Sequence, residues 1–346
     1  METEIIDTIP HNKPTFSEDE VQVAGQTIHS GFVAQGPQVK AFEAEFCAYM
    51  GLPDGHAVAV SSGTAALYMA LQSLGAKDKR VGLPVYTCST LRHAVALCGA
   101  TPVFCDTNTS DCNVDLDAIR ASACDVAIVP HMYGFPQEIK NKAGINIIED
   151  CAQSIGANVN GQKVGLQGDI GIFSFYATKL MTSGGQGGMI VSKDKALIDK
   201  IRDYRQFDCR KDAVDRFNFQ MTDLQASIGR VQLKKLEGFL ERRAQIFQRY
   251  VDAGLAMMYQ DPKENIEPVR FRALMAVDHQ DDVIQRLSDV GVSAITPIED
   301  WELLDVEGDY PNSKKWCAQL LSLPCYPSLT DEQLSKIITT LTGERS

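Results

Sequence analysis

Ser174-Phe175-Tyr176-Ala177-Thr178-Lys179, closing an apolar run and followed by Gly184-Gly185-Gln186-Gly187-Gly188, is the stretch on which the reading of this chain turns. A lysine between an aromatic-rich strand and a flexible glycine loop stands where desolvation lowers its pKa and makes the amine nucleophilic toward aldehydes. The commonplace alternative is a surface lysine at a loop entrance. Upstream, Ile145-Asn146-Ile147-Ile148-Glu149-Asp150 forms a second apolar run, ending in carboxylates and followed by Cys151-Ala152-Gln153-Ser154. A strand-end aspartate and a lysine in one fold meet the needs of pyridoxal phosphate: the first keeps a ring nitrogen protonated, the second holds the aldehyde.

Working outward, short apolar runs alternate with helical segments. Strands are expected at Ala57 to Val60, Val81 to Leu83, Pro102 to Cys105, Val126 to Pro130, Ile145 to Ile148, Ile170 to Phe175 and Met189 to Val191. Seven strands at this spacing predict an α/β fold with a mostly parallel seven-stranded sheet wrapped by helices. Ahead of them, Ser17 with acid at Glu20 marks a helix start, and Pro37 opens a second amphipathic stretch through Val39, Phe42, Phe46 and Met50, stopped by Gly51. Met221 to Tyr250 carries apolar residues at helical spacing and reads as one or two long helices linking two domains. From about Pro268 the chain reads as a smaller α+β domain, with a strand at Val269 to Val277, a helix at Asp281 to Val290 and a closing helix after Thr330-Asp331-Glu332. The expected division is residues 1–235, a large cofactor-binding domain with an N-terminal arm, and residues 236–346, a small C-terminal domain.

The length of 346 residues fits roughly two domains. Apolar residues at 44% and charged residues at 23% are those of an ordinary globular enzyme. The net charge of -12, with lysines and arginines scattered among acids, leaves no footprint for nucleic acid or a membrane surface. Ten cysteines show neither a CxxC pair nor zinc-like spacing and read as reduced, mostly core residues, with no metal site expected. Met1 to Asp7 is acidic and lacks the pattern of a secretion signal, and no run reaches a membrane span, so the cytoplasm is the expected location.

Two further segments bear on an anionic, ring-shaped ligand. In Val58-Ala59-Val60-Ser61-Ser62-Gly63-Thr64-Ala65, a strand ends in hydroxyls and a glycine just as a helix begins, which presents free amides and a favourable dipole to a phosphate. Plain N-capping by Ser62 is the alternative. Asp150, at the carboxyl end of a parallel strand, faces the crevice where open α/β sheets bind ligands, or else caps the next helix. Glu149 points to the opposite face and reads as structural. Gln153, one turn on, is placed to reach a ring oxygen unless it is an exposed helical glutamine. Ser174 offers its side chain to the phosphate.

These segments, in this order, resemble the DegT/DnrJ/StrS family of pyridoxal-phosphate sugar aminotransferases, of the type I, aspartate-aminotransferase-like fold. Also carrying the resemblance are Gly31-Phe32-Val33-Ala34-Gln35-Gly36-Pro37, Gly99-Ala100-Thr101-Pro102-Val103-Phe104, His131-Met132-Tyr133-Gly134, Phe217-Asn218-Phe219-Gln220-Met221-Thr222-Asp223 and Leu321-Ser322-Leu323-Pro324. The resemblance implies that Lys179 forms the imine with pyridoxal 5'-phosphate, Asp150 partners the pyridine nitrogen, and Gln153 meets the ring oxygen. It further implies that Gly63, Thr64 and Ser174 hold the phosphate. Asn218, a loop or cap residue by sequence alone, then reaches the phosphate from a neighbouring subunit, which implies a homodimer with shared sites. The chain departs from the family at Cys88, where an aromatic residue usually stacks on the ring; Tyr86 and His93 are the other candidates for that face. Gln186 stands near a usual glutamate in a loop one residue longer, and the segment from about Asp261 to Asp305 is short.

The activity this resemblance implies is ping-pong transamination of a nucleotide-linked keto-sugar, with glutamate as amino donor, in amino sugar and polysaccharide biosynthesis. A cyclitol or other non-nucleotide keto substrate would use the same residues. Relatives that dehydrate a sugar carry histidine in place of the lysine, so Lys179 argues against that branch. A non-catalytic pyridoxal-phosphate-binding regulator has little need of both Lys179 and Asp150. A nicotinamide oxidoreductase lacks its G-x-G-x-x-G pattern here.

Overall fold

The computed structural model describes residues 8–140, 142 and 144–343; the Met1 to Asp7 segment, read above for targeting signals, lies outside them. Helix α1 (Glu18–Ser30) starts on Ser17 with the expected capping box to Glu20. Helix α2 (Pro37–Met50) buries Val39, Phe42, Phe46 and Met50. Its first turn has only Gly36 at the cap, and the missing acceptor comes from across the fold. The buried Asp223 carboxylate takes the N–H groups of Gly36 (2.8 Å), Gln38 (3.1 Å) and Val39 (2.9 Å), satisfying donors a helix N-terminus otherwise leaves open.

The sheet comprises β1 (Ala57–Val60), β2 (Arg80–Pro84), β3 (Thr101–Cys105), β4 (Val126–Pro130), β5 (Asn146–Asp150), β8 (Ile170–Ser174) and β9 (Gly188–Val191). A short hairpin, β6 (Asn158–Val159) and β7 (Gln162–Lys163), lies between β5 and β8 in sequence and pairs with β10 (Ile266–Glu267). The order in the main sheet is β1-β9-β8-β5-β4-β2-β3. All neighbours are parallel except β9, which runs antiparallel to both β1 and β8. Strands such as Val126–Pro130 are buried throughout, as expected of a sheet covered on both faces. The connecting helices are α3 (Gly63–Ser73), α4 (Thr90–Leu97), α5 (Leu116–Ala121) and α6 (Lys195–Arg205).

The segment read as one or two helices is a single one, α7 (Asp223–Asp252), capped by a Thr222–Gln225 box. Its first half contributes Ala226, Leu233 and Leu236 to the main core, and its second half contributes Ile246, Phe247 and Tyr250 to another cluster. That second cluster gathers Leu321 and Leu323 of β12 (Leu320–Leu323), Ala273 and Met275 of β11 (Ala273–Ala276), Leu287 of α8 (Gln280–Ser288), and Leu334 and Ile337 of α10 (Asp331–Thr342). Helix α9 (Pro311–Gln319) and β12 had no counterpart among the sequence expectations.

The strand expected over Val269 to Val277 is confined to Ala273–Ala276. Before it, the backbone is engaged elsewhere. Val269 N–H donates to Gly134, and the carbonyls of Arg270 and Phe271 accept from the buried Arg243 guanidinium. No described helix is long and apolar enough to cross a membrane.

Candidate active site

The carboxyl ends of β4, β5 and β8 converge with the start of α3 on one cavity of about 330 Å3. Its walls include Gly63, Thr64, Asp150, Gln153, Ser174 and Lys179, together with Cys88, His131 and Ala152. Six of the seven residues singled out from sequence therefore share one space. The seventh, Asn218, does not line it: its side chain is exposed, and its Oδ1 accepts the Gln220 N–H.

Helix α3 starts at the end of β1, with Ser62 Oγ accepting the Ala65 N–H. The capping alternative for Ser62 is thus realised, and Gly63 and Thr64 of the first turn line the cavity. A Cβ at Gly63 would lie 2.9 Å from Ser174 Cβ and 3.1 Å from its Oγ. Only glycine brings this helix terminus so close to the end of β8. On its other side the turn is held by β9, where a Cβ on Gly188 would meet the Ser62 carbonyl oxygen at 2.5 Å.

Asp150 ends β5 and is buried, its Oδ1 accepting the Ala152 N–H at 2.9 Å. No helix follows; residues 152–156 form turns, so Asp150 closes a local turn and Gln153 is not a helical residue. Gln153 is held by Oε1, which accepts the Tyr133 N–H at 2.7 Å. Burial raises the pKa of Asp150, against the pull of the Ala152 N–H and the charge of Lys179. Burial lowers the pKa of Lys179, reinforced by Arg272 and opposed by Asp150 and Cys88. The lysine is therefore partly shifted toward the neutral, nucleophilic amine. Its Nζ lies 5.2 Å from the centre of the Phe271 ring, and its loop is tied by Asn12 Nδ2 donating to the Thr178 carbonyl at 2.9 Å.

Glu149, on the other face of β5, is fully buried. Its oxygens accept His131 Nε2 (3.0 Å) and the N–H groups of Gly165 (2.8 Å), Gln167 (2.6 Å) and Gly168 (2.5 Å). His131 Nδ1 in turn accepts the Gln137 N–H at 3.3 Å, which assigns the ring proton to Nε2. Glu149 thereby fixes the ring that walls the cavity. His131, Glu149 and Cys151 offer ligand atoms near one another, but the carboxylate is already filled by N–H donors.

A second cavity of about 780 Å3 shares Thr87, Cys88, Gln153 and Lys179 with the first and extends to Arg92, His93, Phe271, Arg272 and residues 297–298 and 301–307. Cys88 is exposed, with its Sγ 3.2 Å from Thr90 Oγ1. Tyr86, one sequence candidate for a stacking face, is fully buried, its phenolic oxygen accepts the Tyr133 hydroxyl at 2.9 Å, and it lines neither cavity. His93 lines the second cavity only. Sequence reading missed Asn12, Phe271 and Arg272, and saw His131 only within a motif. Asn12 and Arg272 come from distant segments with no local signature, whereas the strand-end position of His131 beside β5 was a usable signal.

The donor set suits pyridoxal phosphate. A helix terminus and a hydroxyl are brought together by a glycine that nothing larger could replace, and a buried carboxyl faces the same cavity as an amine biased toward neutrality. The family model for the DegT/DnrJ/EryC1/StrS aminotransferase family matches residues 14–342. The spore coat polysaccharide biosynthesis protein SpsC of Bacillus subtilis is 30% identical, with 95% of each chain covered. A UDP-N-acetyl-3-dehydro-alpha-D-glucosamine 3-aminotransferase of Acidithiobacillus ferrooxidans is also 30% identical, covering 97% of this chain and 96% of its own. Among solved structures, the aminotransferase TlmJ from Streptoalloteichus hindustanus superposes with a TM-score of 0.90 at 27% identity, over 97% of this chain and 98% of its own.

Proposed function

Because the chain belongs to the DegT/DnrJ/EryC1/StrS aminotransferase family, we propose that it aminates a nucleotide-linked keto-sugar, taking the amine from glutamate by a ping-pong mechanism with pyridoxal 5'-phosphate as cofactor. The observation that carries this reading is the meeting of Lys179, Asp150 and the Gly63–Ser174 junction around one cavity. When bound, the cofactor supplies an aldehyde for reversible imine chemistry and a ring that withdraws electrons from the reacting carbon. Lys179 Nζ is the amine for that aldehyde and, once released, carries the proton to and from the substrate carbon. Asp150 holds a proton on the ring nitrogen through a charge-assisted hydrogen bond. Gln153 is steadied by Tyr133 for a contact to the ring oxygen. Ser174 Oγ and the amides of Gly63 and Thr64 take the phosphate.

The reading includes a homodimer in which Asn218 completes the partner's phosphate site. Its support is the exposure of Asn218 together with exposed apolar side chains at Phe32, Val33, Val214 and Phe217. It also includes a large domain over 1–235 and a small one over 236–346, with α7 crossing the boundary, and action in the cytoplasm, in keeping with ten free cysteines.

A second reading, amination of a keto-cyclitol, is favoured by the wall of the larger cavity. Glu302, Asp305 and Glu307 line it along with Arg92 and His93, and Arg92 donates to the Leu304 carbonyl of the same segment at 3.0 Å; three carboxylates disfavour a diphosphate. Incubation of the holoenzyme with glutamate and a panel of nucleotide keto-sugars and keto-cyclitols, with mass detection of the amine, tests both. A nucleotide amino sugar supports the first reading, and an aminocyclitol alone supports the second. Loss of neither the visible cofactor band nor glutamate over the whole panel contradicts transamination.

A further inference from the structure

Arg272 immediately precedes β11 and lines the larger cavity together with Lys179, Gln153, Tyr133 and Phe271. Its hydrogen-bond and ring contacts are all with neutral groups, and the one carboxylate that acts on it, Glu302, does so through its charge without a hydrogen bond. Nη1 lies 3.1 Å from His11 Nε2 and 3.4 Å from Ser322 Oγ, and its Nε is buried without a partner. Its Cζ sits 5.5 Å from the centre of the Phe271 ring and 6.0 Å from that of Tyr133. Burial, then the charges of Arg272 and Arg243, bring the pKa of His11 down to about 3, so the imidazole beside the guanidinium stays neutral.

The nearby carboxylates have other engagements. Asp150 lies in the first cavity with Lys179, and the exposed Glu302 accepts the Glu299 N–H and acts on Arg272 through its charge alone. Among the described residues no carboxylate forms an ion pair with Arg272. Arg243, the fully buried guanidinium nearby, also has an Nε without a partner, but its Nη1 is spent on the backbone carbonyls of Arg270, Phe271 and Cys325. A guanidinium held out of bulk water with donors unmade is costly, and a bidentate anion relieves that cost. Phe271 relates the charge to the chemistry, since Lys179 Nζ lies 5.2 Å and Arg272 Cζ 5.5 Å from the same ring centre.

We propose that Arg272 anchors the carboxylate next to the amine of the amino donor, holding that amine toward Lys179; this rests on the aminotransferase reading above. The planar fork binds the two carboxylate oxygens, and the keto-sugar, which lacks that group, occupies the Arg92 and Trp301 side of the same cavity.

The test compares wild type, Arg272→Gln and Arg272→Lys as holoenzymes. Single-turnover reaction with L-glutamate is set against 4-aminobutyrate, which lacks the carboxylate beside the amine, and 2-oxoglutarate binding to the unreactive aldehyde form is measured by calorimetry. The expected result for Arg272→Gln is a fall of roughly 100-fold in the glutamate to 4-aminobutyrate ratio of kcat/KM. A rise of similar size in the 2-oxoglutarate dissociation constant is expected, with partial recovery in Arg272→Lys. An unchanged ratio, whether both rates stand or both fall, overturns the proposal. So does unchanged or absent 2-oxoglutarate binding in wild type relative to the variant, or a loss confined to the reverse reaction from the sugar amine. If wild type reacts with no amine at all, the aminotransferase reading fails, while calorimetry still decides the anchor.

Discussion

Gly63→Ala puts the phosphate cradle under a defined strain. The new methyl would stand 2.9 Å from Ser174 Cβ and 3.1 Å from Ser174 Oγ, inside ordinary contact distance. The helix cannot retreat. Its body is buried from Ala65 to Leu71, and on the far side the Ser62 carbonyl is pressed against Gly188. Ser174 must therefore separate from the start of α3, widening the gap between the donors proposed to share one phosphate. Overpacking of this kind costs about 1–3 kcal/mol. If that strain falls on the cofactor site, it weakens binding roughly 5- to 150-fold. Titration of the stripped protein with pyridoxal phosphate, followed by its visible band, measures this directly. Gly25→Ala in the middle of α1 is the control: nothing lies within 4 Å of the added methyl, so stability should rise by about 0.5–1 kcal/mol with no change in cofactor affinity. Wild-type affinity in Gly63→Ala would refute the cradle.

Glu149→Gln places an amide N–H among four N–H donors and should destabilise the fold by about 3–5 kcal/mol at pH 7 in urea unfolding. Burial opposes ionisation of this carboxyl, but His131 and the amides of Gly168 and Gly165 outweigh it and hold its pKa below the usual range. Its contribution is therefore complete above the ordinary glutamate pKa and is lost as pH falls through the lower folded value, so the gap between wild type and variant should close in acid. A pH-independent gap would contradict this. For the shared site, Lys179→Ala and Asn218→Ala, each expected to be inactive, should regain activity when mixed and refolded together, because one site of the mixed dimer is then intact; no recovery would place Asn218 in its own chain's site or outside the site altogether.

All seven strands of the main sheet were legible because each is a short apolar run between turn residues, buried along most of its length in every strand but β3, and the strand-end Asp150 and the Lys179 of the loop after β8 do meet at one cavity. The capping boxes at Ser17 and Thr330 marked helix starts for the same local reason. What failed depended on distant partners. The strand expected over Val269 to Val277 lost its first part, Val269 to Arg272, to Gly134 and Arg243, and Asp150 closed a turn where a helix start was an option. The Asp223 cap on α2 and the Asn12 tie on the lysine loop join residues far apart in the chain. Arg272 stood in a segment read simply as strand, and its importance comes from what does not pair with it, which no local pattern records.

The central claim is that Lys179 is the amine that takes the cofactor aldehyde. Borohydride reduction of the holoenzyme, followed by proteolysis and mass spectrometry, fixes the cofactor to whichever amine holds it. The account predicts a pyridoxyl phosphate adduct on Lys179, lost together with the visible band in Lys179→Ala. An adduct on a different lysine, or a visible band that persists unchanged in that variant, would contradict it.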